Sequence, residues 1–294
     1  MSAIVDIYTS GSNSWSTTFL QEPRFGLGAA GAGNKIVVAG GALYNMTTPS
    51  IAEIYNTKSR TWTSEAVKVK GTYLAAGAAG NKIIFAGGIN FFNSQIISEA
   101  DIYDVKTDKW TQSALSKGRC LLAGAGIGNK IAFGGGCLFY VGGYTDEVDI
   151  YNTNLGKWST AHLSEARGLL AAAAAGSKIL FAGGFGSSGY SSTVDLYDIK
   201  TDKWTVMHLS EARDHLTATA CGNKIIFAGG ENNSGYSSTV DIYDVSQNSW
   251  STASLSQSRT RFAAAAWGKT AIFAGGVIEK KGGTDVAVIF TLNP

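Results

Sequence analysis

The chain has 294 residues, 45% of them hydrophobic and 16% charged, with a formal net charge of +2. This composition supports a large folded core and excludes a disordered chain. Basic and acidic residues are interleaved, so the charge pattern makes no case for nucleic acid or an anionic membrane as partner, and no apolar run approaches the roughly 20 residues of a membrane helix. The start MSAIVDIYTS lacks the basic-then-apolar pattern of a signal peptide. The three cysteines, Cys120, Cys137 and Cys221, lack metal-ligand spacing, so neither a disulfide framework nor a zinc site is expected. A reducing, cytoplasmic setting follows, and the short sequons at Asn45 and Asn232 carry no weight.

Along the chain one unit returns. VDIY ending at Tyr8 is repeated with variations ending at Tyr55, Tyr103, Tyr151, Tyr197 and Tyr243, a period of 46 to 48 residues. Seven residues after each tyrosine stands a tryptophan: Trp15, Trp62, Trp110, Trp158, Trp204 and Trp250. A double glycine closes an apolar run in every unit, at Gly40, Gly87, Gly135, Gly183, Gly229 and Gly275 with the residue that follows each. Between these markers the pattern predicts four short strands. Strand a is small and apolar, as in GLLAAAAAG; strand b is the KIIFAGG run, entered through a tight Gly-Asn-Lys turn; strand c is VDIY; strand d carries the tryptophan. Alanine and glycine are poor strand formers. Their concentration in strand a predicts an innermost strand where only small side chains fit.

A double glycine, a tyrosine and a tryptophan at fixed spacing resemble the Kelch repeat, and the resemblance covers essentially the whole chain. It implies an all-β, six-bladed Kelch β-propeller with four antiparallel strands per blade. The expected organisation is one domain over residues 1–294, with blades at about 25–67, 72–115, 120–163, 168–209, 214–255, and 260–294 joined by 1–20. The recurrent tyrosines and tryptophans are expected to pack between neighbouring blades.

Alternating strand directions put the d–a and b–c loops on one face. Arg24, Arg119, Arg167, Arg213 and Arg259 recur at the d–a junction, with Gly71 at the matching place in the second unit. In the similar propellers of BTB-Kelch ubiquitin-ligase adaptors, arginine at this junction helps bind acidic peptides, which suits a fork that grips carboxylates. The structural alternative is that these arginines bond loop carbonyls. The b–c loops differ most between units. They carry Tyr144, Tyr190 and Tyr236 four residues before strand c, with Phe91, Phe92, Phe139 and Tyr140 in two others. Arginines and aromatics on one rim form a hot-spot composition. On the opposite face lysines recur, among them Lys35, Lys82, Lys130, Lys178, Lys224 and Lys269, interleaved with aspartates, and they read as solvated turns.

Catalysis is not expected. A galactose-oxidase-like site would need two histidines, two tyrosines and a cysteine around copper, and the only histidines are His162, His208 and His215, which form no visible ligand set. Glu22, Glu165 and Glu211 each precede an arginine by two residues, but the place is taken by Lys117 and Gln257 elsewhere. No cofactor or metal is assigned. The expected function is a binding or scaffold module that recognises a protein or peptide, acidic if the resemblance extends that far. The alternatives are a glycan-binding propeller and a mutarotase-like enzyme.

The ends pose a counting problem. Strand c occurs seven times, the extra copy being Ala287–Phe290, so the last blade must take strand d with Trp15 from the N-terminus in a velcro closure. For its strand c, Ile4–Tyr8 is favoured because it keeps the Asp and Tyr of the repeat, with the C-terminal copy adding at an edge. A monomer is expected, or a dimer through the surplus strand.

Overall fold

The computed structural model describes residues 3–9, 11–68, 70–138, 142–279, 282–284 and 286–291, together with the backbone but not the side chain of Phe290. Strands and turns account for it, and no helix occurs among the described residues. The chain forms two compact units, Met1–Cys120 and Leu121–Pro294. The division falls at the junction between two repeats.

In the first unit, the hairpin Ile4–Thr9 and Ser14–Phe19 precedes two antiparallel sheets in the order a-b-c-d. They are Phe25–Ala32, Lys35–Ala42, Ile51–Asn56, Thr61–Ala66, and Ala75–Ala79, Lys82–Ala86, Glu99–Asp104, Lys109–Ala114. The second unit holds three more such sheets. They comprise Ala123–Ile127, Lys130–Gly134, Glu147–Asn152, Lys157–His162; then Ala171–Ala175, Lys178–Ala182, Thr193–Asp198, Lys203–His208; then Thr217–Cys221, Lys224–Ala228, Thr239–Asp244, Ser249–Ser254. A three-stranded sheet follows, Ala263–Trp267, Thr270–Ala274 and Ala287–Thr291. Two-residue ladders in the b–c loops, such as Phe185–Gly186 with Gly189–Tyr190, were not foreseen.

The core of each unit lies between successive sheets. Leu180 and Val194 of one sheet pack with Ile225, Phe227 and Tyr243 of the next, and Trp250 closes against the same cluster. Strand b is buried on both faces, and Phe85, Phe133, Phe181, Phe227 and Phe273 have no exposed surface. Gly134 shows how closely sheets approach: a Cβ there would lie 2.8 Å from the Phe181 ring. Each repeat tyrosine also sits directly opposite its tryptophan across strands c and d, with ring centroids 4.9–5.1 Å apart in the five complete sheets. The spacing of seven residues is therefore the register of a hairpin. Its turn needs a residue at positive φ, and Asp108, Asp202 and Asn248 supply both that conformation and an acceptor for the hydroxyls of Tyr103, Tyr197 and Tyr243.

The last sheet corrects one expectation. The place beside Thr270–Ala274 belongs to Ala287–Thr291, in a register running from Ala274↔Ala287 to Thr270↔Thr291, whereas Ile4–Thr9 pairs with Ser14–Phe19. The C-terminal strand reaches that place through a short connection from strand b, so the loop-closure cost is small. Its Val288 stands opposite Phe273, where Asp241 of the preceding sheet stands opposite Phe227. The repeat carboxylate is lost there.

Candidate functional site

The d–a arginines occupy the interior, and strand c provides Arg24, Arg167 and Arg213 with a carboxylate partner. Arg167 Nη2 donates to Asp195 Oδ2 at 2.7 Å and Arg213 Nη2 to Asp241 Oδ2 at 2.6 Å, while Arg24 Nη2 meets Glu53 Oε1 at 2.5 Å. These acids are the second residues of the VDIY motifs. The other oxygen of Asp195 and of Asp241 accepts the Ser164 or Ser210 amide, at 2.9 and 3.1 Å. The guanidiniums also bond carbonyls of their own sheet, as Arg213 does with Thr239 at 3.0 Å. Where Gly71 replaces the arginine, Asp101 still accepts the Lys68 amide at 2.8 Å.

The expectation that these guanidiniums stand open at a rim is thereby corrected. Arg119, Arg167, Arg213 and Arg259 have no exposed surface and Arg24 has 5%. A buried guanidinium must find acceptors within the fold. Arg259 is the exception in kind: with Val288 at the acid's place it bonds only the Gly275 and Val286 carbonyls, at 3.2 and 2.8 Å, and its Nε and one Nη have no partner among the described residues. Burial pushes its pKa down. The glutamates before the arginines belong to the same network: Glu165 and Glu211 accept the hydroxyls of Ser191 and Ser237 and lie 3.6 and 3.0 Å from Arg167 and Arg213. Burial pushes the Glu165 carboxyl up, but hydrogen bonds from Ser191 and Thr193 and the charge of Arg167 outweigh it and leave it low.

The loop tyrosines do come together. Tyr144 lies 6.1 Å from Phe185, and Phe185 lies 5.1 Å from Tyr190 in an edge-to-face pair, making a half-buried aromatic wall over two sheets of the second unit. Burial raises the hydroxyl pKa of both tyrosines; Cys137 and Asp214 add to it at Tyr144, and Asp214 and Glu231 at Tyr190. Tyr236 stands in the next b–c loop, its amide donating to Glu279 at 3.1 Å. In the first unit, Phe91 packs against Tyr73 and Phe25 at 5.9 and 6.5 Å, and Phe92 is 80% exposed. Phe139 and Tyr140 lie outside the described residues. On the opposite face, Lys82, Lys178 and Lys224 pair with Asp104, Asp198 and Asp244 at 2.7, 3.2 and 2.7 Å, which tethers the a–b turn to the c–d turn.

Sequence reasoning missed a cluster beside the aromatic wall. His215, set aside with the other histidines as forming no ligand set, lies with Nδ1 2.9 Å from Asp214 Oδ1 and 3.2 Å from Glu231 Oε1. The available signal was Gly229-Gly230: it folds the chain back so that the next residue, Glu231, bridges Asp214. Gly230 has φ 106°, and a Cβ there would strike the Asp214 carbonyl.

A comparison with curated proteins gives no match. The family model described as the KLHDC2/KLHL20/DRC7 Kelch-repeats domain matches residues 122–293, and the Kelch motif model matches residues 70–114. Kelch-repeat domains generally mediate protein–protein interaction and are typically non-catalytic binding modules. With a family model spanning more than half of its length, over sheets whose Tyr–Trp pairs and double glycines are those of the repeat, the chain belongs to the Kelch-repeat family.

Proposed function

We propose that the chain is a protein-binding module that takes a peptide segment on the loop face of its second unit, and that this segment is basic rather than acidic. The observation that supports this reading is the inversion of charge at the d–a and b–c loops. The recurrent arginines are buried, and Arg24, Arg167 and Arg213 are neutralised by strand-c carboxylates. The carboxylates that act on Tyr190 include that of Glu231, whose side chain is 21% exposed. Tyrosines supply contact area at low entropic cost, and an acid beside them favours a lysine or arginine.

The test is binding of the intact chain to peptide arrays of matched length that are basic, acidic or neutral, followed by titration of the best sequence. Basic peptides should dominate, their affinity should fall with salt, and Tyr144→Ala with Tyr190→Ala should weaken binding at least about tenfold, the effect of losing aromatic anchors. Selection of acidic peptides, or undiminished binding by the double variant, would overturn the reading.

A further inference from the structure

Asp214 and Glu231 face each other across a single antiparallel bridge in the second unit. The Asp214 amide donates to the Glu231 carbonyl at 3.0 Å and the Glu231 amide to the Asp214 carbonyl at 2.9 Å. Backbone, and not flexible side-chain tips, therefore sets the two carboxylates next to each other. His215 follows with φ 46°, and its own amide is tied to the Leu169 carbonyl at 3.1 Å. One donor atom from each of Asp214, His215 and Glu231 lies within 4.8 Å of the other two.

The same bridge recurs in other repeats without this chemistry. It joins Thr72 to Ile89, Gly168 to Phe185 and Thr260 to Val277. The residues matching His215 are Gly26, Tyr73, Leu121, Leu169 and Arg261, and all share its positive φ. The fold thus needs the bridge and the backbone conformation but none of the three donors. Their coincidence in one repeat is a property of this chain and not of the repeat.

We propose that Asp214 Oδ1, His215 Nδ1 and Glu231 Oε1 form a binding site for a divalent transition-metal ion of the zinc class. Metal–ligand bonds of roughly 2.0–2.2 Å at angles of about 90–110° put adjacent donor atoms about 2.8–3.6 Å apart. The observed separations from Nδ1, 2.9 and 3.2 Å, fall inside that span. One imidazole with two carboxylates suits zinc, nickel or copper better than magnesium or calcium, which take oxygen shells. The side chains of Asp214, His215 and Glu231 are 5%, 20% and 21% exposed, so the two acids sit close together in a poorly solvated place. A divalent ion would neutralise both. Arg261, 3.7 Å from Glu231 and 58% exposed, has room to swing into solvent. Three protein donors leave a position for water or for a donor from a bound partner. The site shares Glu231 with the peptide reading above, so the peptide array is run with chelator present, and peptide binding and zinc binding are then read separately.

The experiment is isothermal titration of the EDTA-treated full chain with zinc chloride, and with cobalt chloride followed by visible absorption. One equivalent should bind, and His215→Ala or Glu231→Gln should weaken it at least about tenfold while near-ultraviolet circular dichroism stays native; even loss of an outer-shell partner costs that much. The cobalt spectrum of the unmodified chain should show visible bands without sulfur charge transfer, a readout that holds even if a variant does not fold. Absence of binding, affinity unchanged in the two variants, or a thiolate charge-transfer band placing the metal on a cysteine would each overturn the proposal.

Discussion

Replacing Asp195 by asparagine removes one charge from a pair that is almost wholly buried: the Arg167 side chain has no exposed surface and that of Asp195 has 4%. The asparagine retains an acceptor for the Ser164 amide, so the loss falls on the guanidinium. What remains to Arg167 is the Phe181, Thr193 and Glu165 carbonyls at 3.3, 3.5 and 3.5 Å and the Glu165 carboxylate at 3.6 Å. Stranding one partner of a buried pair costs about 3–5 kcal/mol. At roughly 2–4 °C per kcal/mol for a chain of this size class, the melting temperature should fall on the order of 10 °C. Asp241→Asn should cost less, because Glu211 lies only 3.0 Å from Arg213 and takes over part of the role. Thermal and urea melts of the two variants at neutral pH measure the ordering. A shift of under about 2 °C for Asp195→Asn, which is below 1 kcal/mol on that scale, would refute the assignment of these pairs as interior struts.

Arg259→Met should be much milder than Arg213→Met, since the first removes a guanidinium that has no carboxylate partner among the described residues and the second strands Asp241; equal losses in urea melts would contradict this. Stability should also fall in acid. The Lys82 ammonium holds the Asp104 carboxyl, and the Lys224 ammonium the Asp244 carboxyl, well below the usual range, so their contribution is present above the unfolded carboxylate pKa and is lost as pH falls through the folded one. Urea midpoints measured from about pH 5 downward should decline less steeply in Lys82→Met and Lys224→Met, and an unchanged slope would remove these pairs from the account.

The repeat and its strands were legible because each marker does a local job. A tyrosine and a tryptophan seven residues apart can face each other only across a tight hairpin, and the positive-φ position of the turn between them carries Asp, Asn or Gly in every copy except the one with Arg60. Glycine and alanine in strands a and b likewise report close approach of sheets, as at Gly134. Short-range geometry of this kind writes itself into spacing.

The chemistry of the arginines was not legible in the same way. Their recurrence was plain, but the carboxylate partners of Arg24, Arg167 and Arg213 lie 28 or 29 residues away on strand c, inside a motif that had been read only as a strand signature. A period shows that two residues recur together; it does not show that their side chains meet and leave the surface. His215 is the converse case, since a lone histidine acquires two carboxylate neighbours only when the double glycine folds Glu231 back beside Asp214. Sequence alone thus determined the family and the order of strands within a repeat, both marked by contacts within one hairpin or one turn. Tertiary structure decided which charges are buried, which strand stands beside Thr270–Ala274 and which side chains share a site, because those depend on strands brought together across tens of residues.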